Sequence, residues 1–367
     1  MGSGPAAVGH DREGSMTGYG LTIFGGGRGA DRYARLGAIA REAEDAGFDG
    51  VWVSELYNRS ATVSRAMLAA ATSRVMVGSN IAYGPGRSPL ILAAEARDLD
   101  ELSEGRLVLG LGTGTRGMLE NWLSVSGESP AARITELVEV LRKLWRLHEG
   151  PVHHEGRFYK VNVSPTADTP PPFQEHLPIW TAGVNPGMIR AAGRASDGLV
   201  GHPMFTRRYL DEVVRPELAV AATAAGRNLD AFQVMGIRIC AVAEGASDLE
   251  QARRRAAFAV AQYAASRVYD RLFALHGWTS EQEHIREAAR AKDFAAMAAA
   301  VPDAAIDECT IVGTAADLPT VVARHAEPVD HLVLTPPPWG LDPEETDQMT
   351  SRLIAAMRRP LAPPPAR

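Results

Sequence analysis

The segment LPIWTAGVNPGMIRAAGRASDGLVGHP, residues 177–203, contains one complete strand–helix–strand unit. Short apolar runs at 178–182 and 197–201 predict two buried strands. Between them, residues 186–195 predict a helix, and Pro186 stands at the first helical position, where proline is tolerated. Two buried strands joined by a helix are typical of parallel pairing, so this segment indicates a βαβ unit.

The same alternation extends outward from this unit in both directions along the chain. Apolar runs predict eight strands, at 19–24, 50–55, 74–84, 106–114, 178–182, 197–201, 233–241 and 330–335. Helical periodicity predicts the main connecting helices at 31–48, 61–73, 88–105, 130–150, 186–195, 206–225, 315–326 and 344–358. Eight continuously apolar strands that alternate with helices predict an α/β protein with a closed (β/α)8 TIM barrel, rather than an open sheet.

Two segments interrupt this alternation and are predicted to be insertions in a single domain of residues 18–358. Residues 150–176 predict a hairpin with a proline-rich excursion, and residues 247–308 predict an extra helical region. Long insertions on a barrel commonly form lids or interfaces. We expect residues 1–17 to be a disordered leader and residues 359–367 to be a proline-rich tail outside the packed domain.

Composition limits the classes of partner that this chain can have. Its hydrophobic content of 46% is ample for a large core, and a formal net charge of −6 provides no basic surface for nucleic acid. No apolar run reaches the roughly 18 residues that span a bilayer. The two cysteines, Cys240 and Cys309, are too few and too far apart for a disulfide framework or a zinc knuckle. We therefore expect a cytoplasmic protein with a small-molecule ligand and without a metal, nucleic acid or membrane partner.

A glycine-rich stretch, GLGTGTRG at 110–117, has the appearance of a dinucleotide-binding loop. The fingerprint fails because Thr115 replaces its third glycine, and no acidic strand end follows about 20 residues later. A Rossmann fold is therefore disfavoured. The small residues predict instead that a flat ligand approaches the backbone closely at this strand end.

The residues AGVNPGM at 182–188 join a predicted strand to a predicted helix. The backbone amides of Gly183, Val184 and Asn185 would then point out of a helix N-terminus, which is a favourable place for a phosphate. An ordinary strand–helix turn explains the same residues, and both interpretations stay open at this point.

Polar side chains follow two predicted strands at the barrel face where active sites lie. Glu55 ends the second strand and is followed by Tyr57, while His202 directly follows the strand at 197–201. Glu55 could be a general acid, could hydrogen-bond a ligand ring or the substrate, or could simply pair with Arg59. Tyr57 is a further candidate catalytic residue, as a polar group expected near the reacting atoms. His202 is the candidate general acid because a histidine ordinarily titrates near neutrality, although a structural hydrogen-bonding role is also open.

Several segments in a fixed order resemble the bacterial luciferase-like superfamily of flavin and deazaflavin oxidoreductases. They are AEDAGFDGVWVSE, LGLGTGTRGMLENW, PAARITELVEVLRKLW, GPVHHEGRFYKV, PIWTAGVNPGMIRAAGRASDG and IVGTAADLPTVV. The resemblance covers about residues 19–358 and is greatest to the subgroup that uses coenzyme F420, which includes methylenetetrahydromethanopterin reductase. It implies a deazaflavin ring at the carboxyl ends of the strands, and a homodimer formed through helices of the first half.

The resemblance also implies which residues hold the cofactor. A non-proline cis peptide bond falls on Asn80–Ile81, and the phosphate cradle falls on Gly183, Val184 and Asn185. The remaining implied cofactor contacts are Ser54, Gly112, Thr113, Gly114 and Thr115.

One departure from the family pattern concerns the proton-transferring residues. Many F420 enzymes of the family carry Ser-Asp-His at the end of strand two, and here the residues are Ser54, Glu55 and Leu56. Thr115 stands where a carboxylate often follows the glycines. The resemblance therefore implies an F420-dependent oxidoreductase that transfers a hydride between deazaflavin C5 and a small organic substrate, acting as a reductase of a C=C or C=N bond. An FMN-dependent two-component monooxygenase and a non-catalytic flavin binder are the alternatives.

Overall fold

The computed structural model describes residues 18–25 and 28–359 of the chain. The predicted leader and residues 360–367 of the predicted tail lie outside the described residues. The strands are β1 Gly18–Thr22, β2 Gly50–Val53, β3 Met76–Ser79, β4 Ala82–Tyr83, β5 Leu107–Gly112, β6 Val152–Glu155, β7 Lys160–Val163, β8 Ile179–Ala182, β9 Gly198–Val200, β10 Gln233–Ala243, β11 Thr310–Thr314 and β12 His331–Thr335.

Helices connect these strands along the whole described chain. They are α1 Gly29–Asp45, α2 Ala61–Ala71, α3 Pro89–Leu102, α4 Arg116–Asn121, α5 Pro130–Trp145, α6 Pro186–Ala195, α7 Arg207–Tyr209, α8 Arg215–Ala224, α9 Leu249–Ala264, α10 Asp270–His276, α11 Thr279–Ala291, α12 Phe294–Ala299, α13 Asp303–Cys309, α14 Leu318–Ala326 and α15 Pro343–Ala356. A π-helical turn, Leu210–Val214, joins α7 to α8, so the helix predicted at 206–225 is continuous.

Eight parallel strands form a closed barrel in the order β1–β2–β3–β5–β8–β9–β10–β12. The ring closes because β12 pairs with β1 and β10 pairs with β9 as well as with β12. All eight barrel strands lie within or overlap the runs predicted from the sequence, and the (β/α)8 fold is confirmed. The predicted run 74–84 is divided into β3 and β4 by the Asn80–Ile81 peptide bond.

The first insertion contains the antiparallel hairpin β6–β7, and the second contains helices α9 to α13. The second insertion is followed by β11, a strand that the sequence analysis did not predict. It pairs with the carboxyl-terminal half of β10, from Ile239 to Ala243, outside the closed ring.

Aromatic side chains fill the interior of the barrel towards the amino ends of its strands. Trp52 and Trp180 stack with ring centroids 5.5 Å apart, and Trp52 Nε1 donates a hydrogen bond of 3.1 Å to Nε2 of His331. Glycines on the neighbouring strands make room for the rings: a Cβ atom at Gly78 would lie 2.1 Å from Trp52. This packing fills that part of the barrel, so a ligand site is expected at the carboxyl ends of the strands, as in other barrels of this type.

Candidate active site

The break between β3 and β4 is held by residues from three strand ends. The Asn80–Ile81 peptide bond is cis, as the family resemblance implied. Ser54 Oγ lies 3.1 Å from the Asn80 carbonyl oxygen and 3.2 Å from its Oδ1, and Asn80 Nδ2 donates to Thr22 Oγ1 at 2.7 Å. The structure thus brings together Ser54, Asn80 and Ile81, and the last two are partly exposed at the barrel mouth.

The glycines of β5 face this break and not an open surface. A Cβ atom at Gly110 would lie 1.6 Å from the Ser79 carbonyl oxygen, and one at Gly112 would lie 2.1 Å from Ile81 Cδ1. The prediction that these small residues admit a flat ligand is therefore wrong for these two positions. They admit the neighbouring chain instead.

The residues after Gly112 turn the chain into α4. Thr113 is buried and its hydroxyl donates to the Gly114 carbonyl at 3.0 Å, while Gly114 has a positive φ of 68°. Thr115 caps the helix, because its Oγ1 accepts from the Met118 amide at 3.3 Å. Gly114 and Thr115 are exposed, and remain accessible to a ligand.

The loop between β8 and α6 presents unused amides. A Cβ atom at Gly183 would lie 2.7 Å from the Met188 carbonyl carbon, so glycine allows this loop to pack on the helix. Tyr209 donates to the Val184 carbonyl at 2.9 Å, and Asn185 Nδ2 donates to the Val268 carbonyl at 3.0 Å. Among the described residues, none accepts a hydrogen bond from the amides of Gly183, Val184 or Asn185. These contacts fix the loop and leave three donors at a helix N-terminus whose first turn contains no acidic residue.

Glu55 has a different partner from the one predicted. Glu55 is only 8% exposed. Its carboxylate accepts two hydrogen bonds from Arg87, at 2.5 and 2.8 Å, and none from Arg59. It also accepts from the amides of Tyr83 at 2.8 Å and Ala61 at 3.3 Å. Burial alone would raise the pKa of Glu55, but the Arg87 hydrogen bonds and the two amides outweigh it and lower the pKa. The side chain is therefore an ionised anchor between strand ends, and not a proton donor.

His202 also differs from the expectation. Its ring is enclosed by Tyr263 and Tyr269, and burial lowers its pKa to about 3. The Met204 amide donates to Nδ1 at 3.2 Å, so the proton of the neutral ring is on Nε2, which donates to the Tyr269 hydroxyl at 2.8 Å. The argument that His202 titrates near neutrality is wrong, because the folded chain keeps it neutral.

Tyr57 is not enclosed. It is 77% exposed, and its ring contacts Trp122 edge-on with centroids 5.4 Å apart. Leu56, also exposed, lies beside it in the chain. These residues form an apolar rim after β2 and α4, and the described contacts of Tyr57 do not place it in a proton-transfer chain.

Two groups of residues at the mouth were missed by sequence reasoning. Tyr263 and Tyr269 come from the second insertion and pack with His202, and Trp339 contacts Tyr263 from the segment after β12. Three arginines, Arg28, Arg32 and Arg59, line a cavity after β1 and β2. A sequence signal for the second group was available, since Arg28 and Arg59 follow predicted strands and Arg32 lies in the first turns of the helix predicted at 31–48.

Other classes of site find little support in the part of the chain that is described. Its residues contain no group of three or more histidine, cysteine, aspartate or glutamate side chains placed to hold a metal ion. Both cysteines are buried as free thiols. No helix there has the length and apolar character needed to cross a membrane.

Comparison with known proteins gives consistent matches over most of the chain. The sequence model of the luciferase-like monooxygenase family matches residues 12–331. An uncharacterised protein of Mycobacterium tuberculosis is 32% identical over 83% of this chain and 90% of its own length. The 5,10-methylenetetrahydromethanopterin reductase of Archaeoglobus fulgidus is 26% identical over 88% of this chain and 95% of its own length. The structure of the coenzyme F420 dependent tetrahydromethanopterin reductase from Methanopyrus kandleri matches with a TM-score of 0.74 and 23% identity, over 94% of this chain and 100% of that chain.

Proposed function

This chain belongs to the luciferase-like monooxygenase family, and we propose that it is an oxidoreductase that uses coenzyme F420, because its relatives include a 5,10-methylenetetrahydromethanopterin reductase and an F420-dependent glucose-6-phosphate dehydrogenase. The reaction that we propose is hydride transfer between deazaflavin C5 and a small organic substrate, with reduction of a C=C or C=N bond.

The observation that carries this proposal is the row of three unused amides at the N-terminus of α6. A phosphate group fits there, because the amides of Gly183, Val184 and Asn185 offer hydrogen bonds and the helix dipole favours negative charge. The ring of the cofactor would lie over Asn80 and Ile81, the partly exposed residues at the break between β3 and β4.

When bound, the deazaflavin supplies a hydride donor or acceptor at C5. The residues of this chain would orient the acceptor against it, since correct placement of two reactants is a large part of such catalysis. Oxidation of an alcohol also needs a base, and the end of β2 does not supply one: Leu56 cannot exchange a proton, and Glu55 is held by Arg87. Reduction of an activated double bond makes less demand on a proton-transferring residue of the protein, and this favours a reductase.

The contacts of His202 suggest a positioning role in place of the catalytic role first predicted for it. Its Nε2–H donates to the Tyr269 hydroxyl, so Tyr269 keeps its own proton to donate to a ligand. Burial raises the pKa of Tyr269 well above its usual value, so the hydroxyl is suited to hydrogen bonding and not to full proton transfer. We infer that Tyr269 orients the substrate and that the transferred proton comes from water.

A second function remains a candidate because the matching family is described as one of monooxygenases. The same amides could hold the phosphate of FMN, and reduced FMN from a separate reductase would then react with oxygen. Titration of the purified protein with F420 and with FMN, followed by fluorescence, separates the two. Micromolar or tighter binding of F420 with much weaker binding of FMN supports the reductase, and the reverse preference supports the monooxygenase.

We also propose a homodimer formed through the helices of the first half. Large apolar side chains are exposed on α2 and α3: Val63 is 48% exposed, Leu90 39%, Ile91 55% and Leu102 46%. Each of these helices already buries its other face against the barrel. Association of two copies would remove these side chains from water.

A further inference from the structure

Three arginines converge on one cavity at the carboxyl ends of β1 and β2. Arg28, Arg32 and Arg59 line a cavity of about 380 Å³, together with Tyr33 on α1 and Asn58 in the loop after β2. Arg28 and Arg59 also line an adjoining cavity of about 420 Å³ that reaches the segment after β12. The arginines therefore lie at the face of the barrel that carries the candidate active site.

The positive charges of this cluster are not neutralised within the described part of the chain. None of the salt bridges between described residues involves Arg28, Arg32 or Arg59, although many other arginines there are paired. Arg32 is only 5% exposed, and its buried Nε has no hydrogen-bond partner. Its guanidinium carbon lies 5.0 Å from the centre of the Tyr33 ring.

A buried, partly unpartnered guanidinium beside like charges is costly in the absence of an anion. Burial first, and then the neighbouring Arg59, lower the pKa of Arg32, which reflects this cost. Arginine donates in a planar fork that matches the oxygens of a carboxylate or a phosphate. An oxyanion in the cavity would relieve the repulsion between the three guanidinium groups.

We propose that Arg28, Arg32 and Arg59 form a binding site for a carboxylate or phosphate group of the substrate. The anion chemistry follows from the cavity itself, while its assignment to the substrate rests on the proposed function. In the barrel order, β1 and β2 lie opposite β8 and β9. A cofactor phosphate on the amides after β8 would therefore be across the mouth from the arginines, which leaves them to the second ligand.

The test uses pyrophosphate as the probe, titrated calorimetrically into the cofactor-free protein at constant ionic strength. Arg28→Gln and Arg59→Gln are the informative variants, because both side chains are exposed and their loss should not impair folding. Arg41→Gln is the matched control, since Arg41 is an exposed arginine on α1 that does not line the cavity. The same titrations are repeated in a Gly187→Asp background. The added carboxylate suppresses anion binding at the α6 amides.

We expect each cavity variant to weaken pyrophosphate binding about tenfold or more, as for loss of a charge-assisted hydrogen bond. Arg41→Gln should bind like the wild type, and in the Gly187→Asp background saturating F420 should leave the pyrophosphate affinity unchanged. Equal pyrophosphate affinity in the wild type and both cavity variants overturns the site. Displacement of pyrophosphate by F420 in the Gly187→Asp background overturns its assignment to the substrate. Failure of the protein to bind F420 would instead refute the proposed function, and the cofactor-free titrations would still report on the arginines.

Discussion

Replacing Glu55 by glutamine separates the structural role seen here from the ligand-binding role that the sequence suggested. The carboxylate accepts four hydrogen bonds, two from Arg87 and one each from the amides of Tyr83 and Ala61. Glutamine keeps one of the two acceptor oxygens and turns an NH2 group towards donors. About half of these contacts would be lost.

The expected cost follows from burial and from the neighbouring charges. Glu55 is 8% exposed, and the Arg87 side chain is 20% exposed. Removing one partner of a buried ion pair costs about 3–5 kcal/mol. In this variant Arg87 still pairs with a second carboxylate, that of Glu95, at 3.4 Å, so we expect a cost at the lower end of this range. We therefore expect Glu55→Gln to lower the free energy of unfolding by about 3 kcal/mol.

The measurement is equilibrium urea unfolding of the wild type, Glu55→Gln and a control, Glu120→Gln. Glu120 pairs with Arg116, but their side chains are 42% and 71% exposed, so this variant should unfold close to the wild type. F420 affinity is measured on the folded proteins. If Glu55→Gln is as stable as Glu120→Gln and binds F420 much more weakly, Glu55 is a ligand contact and the structural reasoning fails.

Three further predictions concern the cofactor, the assembly and the interior. A Cβ atom at Gly187 would meet no atom within 4 Å, so a side chain fits there. Gly187→Asp should weaken F420 binding at least about tenfold, or 1.4 kcal/mol, relative to the uncharged control Gly187→Asn. Equal affinities of the two variants would show that no phosphate binds at α6. Ile91→Glu should give a monomer in light scattering while Val220→Glu, at an exposed site on α8, leaves the dimer intact; a monomeric wild type would contradict the assembly. Burial lowers the pKa of His331 from 6.5 to about 4, so its neutral ring stabilises the fold above pH 6.5 and this stability is lost as the pH falls towards 4. The wild type should therefore lose about 3 kcal/mol more than His331→Gln between pH 7 and pH 4 in urea unfolding, and parallel losses would refute the assignment.

The barrel could be predicted because its signal is local. Each buried strand is a continuous apolar run, and each helix shows its own periodicity, so neither depends on distant residues. The strand β11 was missed because it lies outside the closed ring and its partner is the distal half of β10, about 70 residues earlier in the chain. The cis bond at Asn80–Ile81 has no local signal in the sequence, and it came from the family resemblance alone.

The site residues were harder to predict because their properties depend on non-local partners. Arg59 is the arginine closest to Glu55 in sequence, but the chain reversal after β4 brings Arg87 to the carboxylate instead. The Met204 amide sets the proton position on His202, and the resulting Nε2–H donates to Tyr269, which lies 67 residues later in an insertion. Burial then moves the pKa of His202 far from its ordinary value, and burial cannot be read from a strand-end position.

The distribution of charge at the barrel mouth favours anionic ligands. The protein has a formal net charge of −6, yet the charges at the mouth are unevenly matched. Glu55 is neutralised by Arg87 within the fold, whereas the arginines at 28, 32 and 59 have no carboxylate partner among the described residues. A local excess of positive charge in a concave, partly desolvated region raises the local concentration of anions even when the whole protein is acidic. Exposed pairs are screened within about 8 Å at physiological salt, while buried ones are screened much less. The contribution of buried Arg32 to the preference for anionic ligands should therefore depend less on ionic strength than the contributions of exposed Arg28 and Arg59.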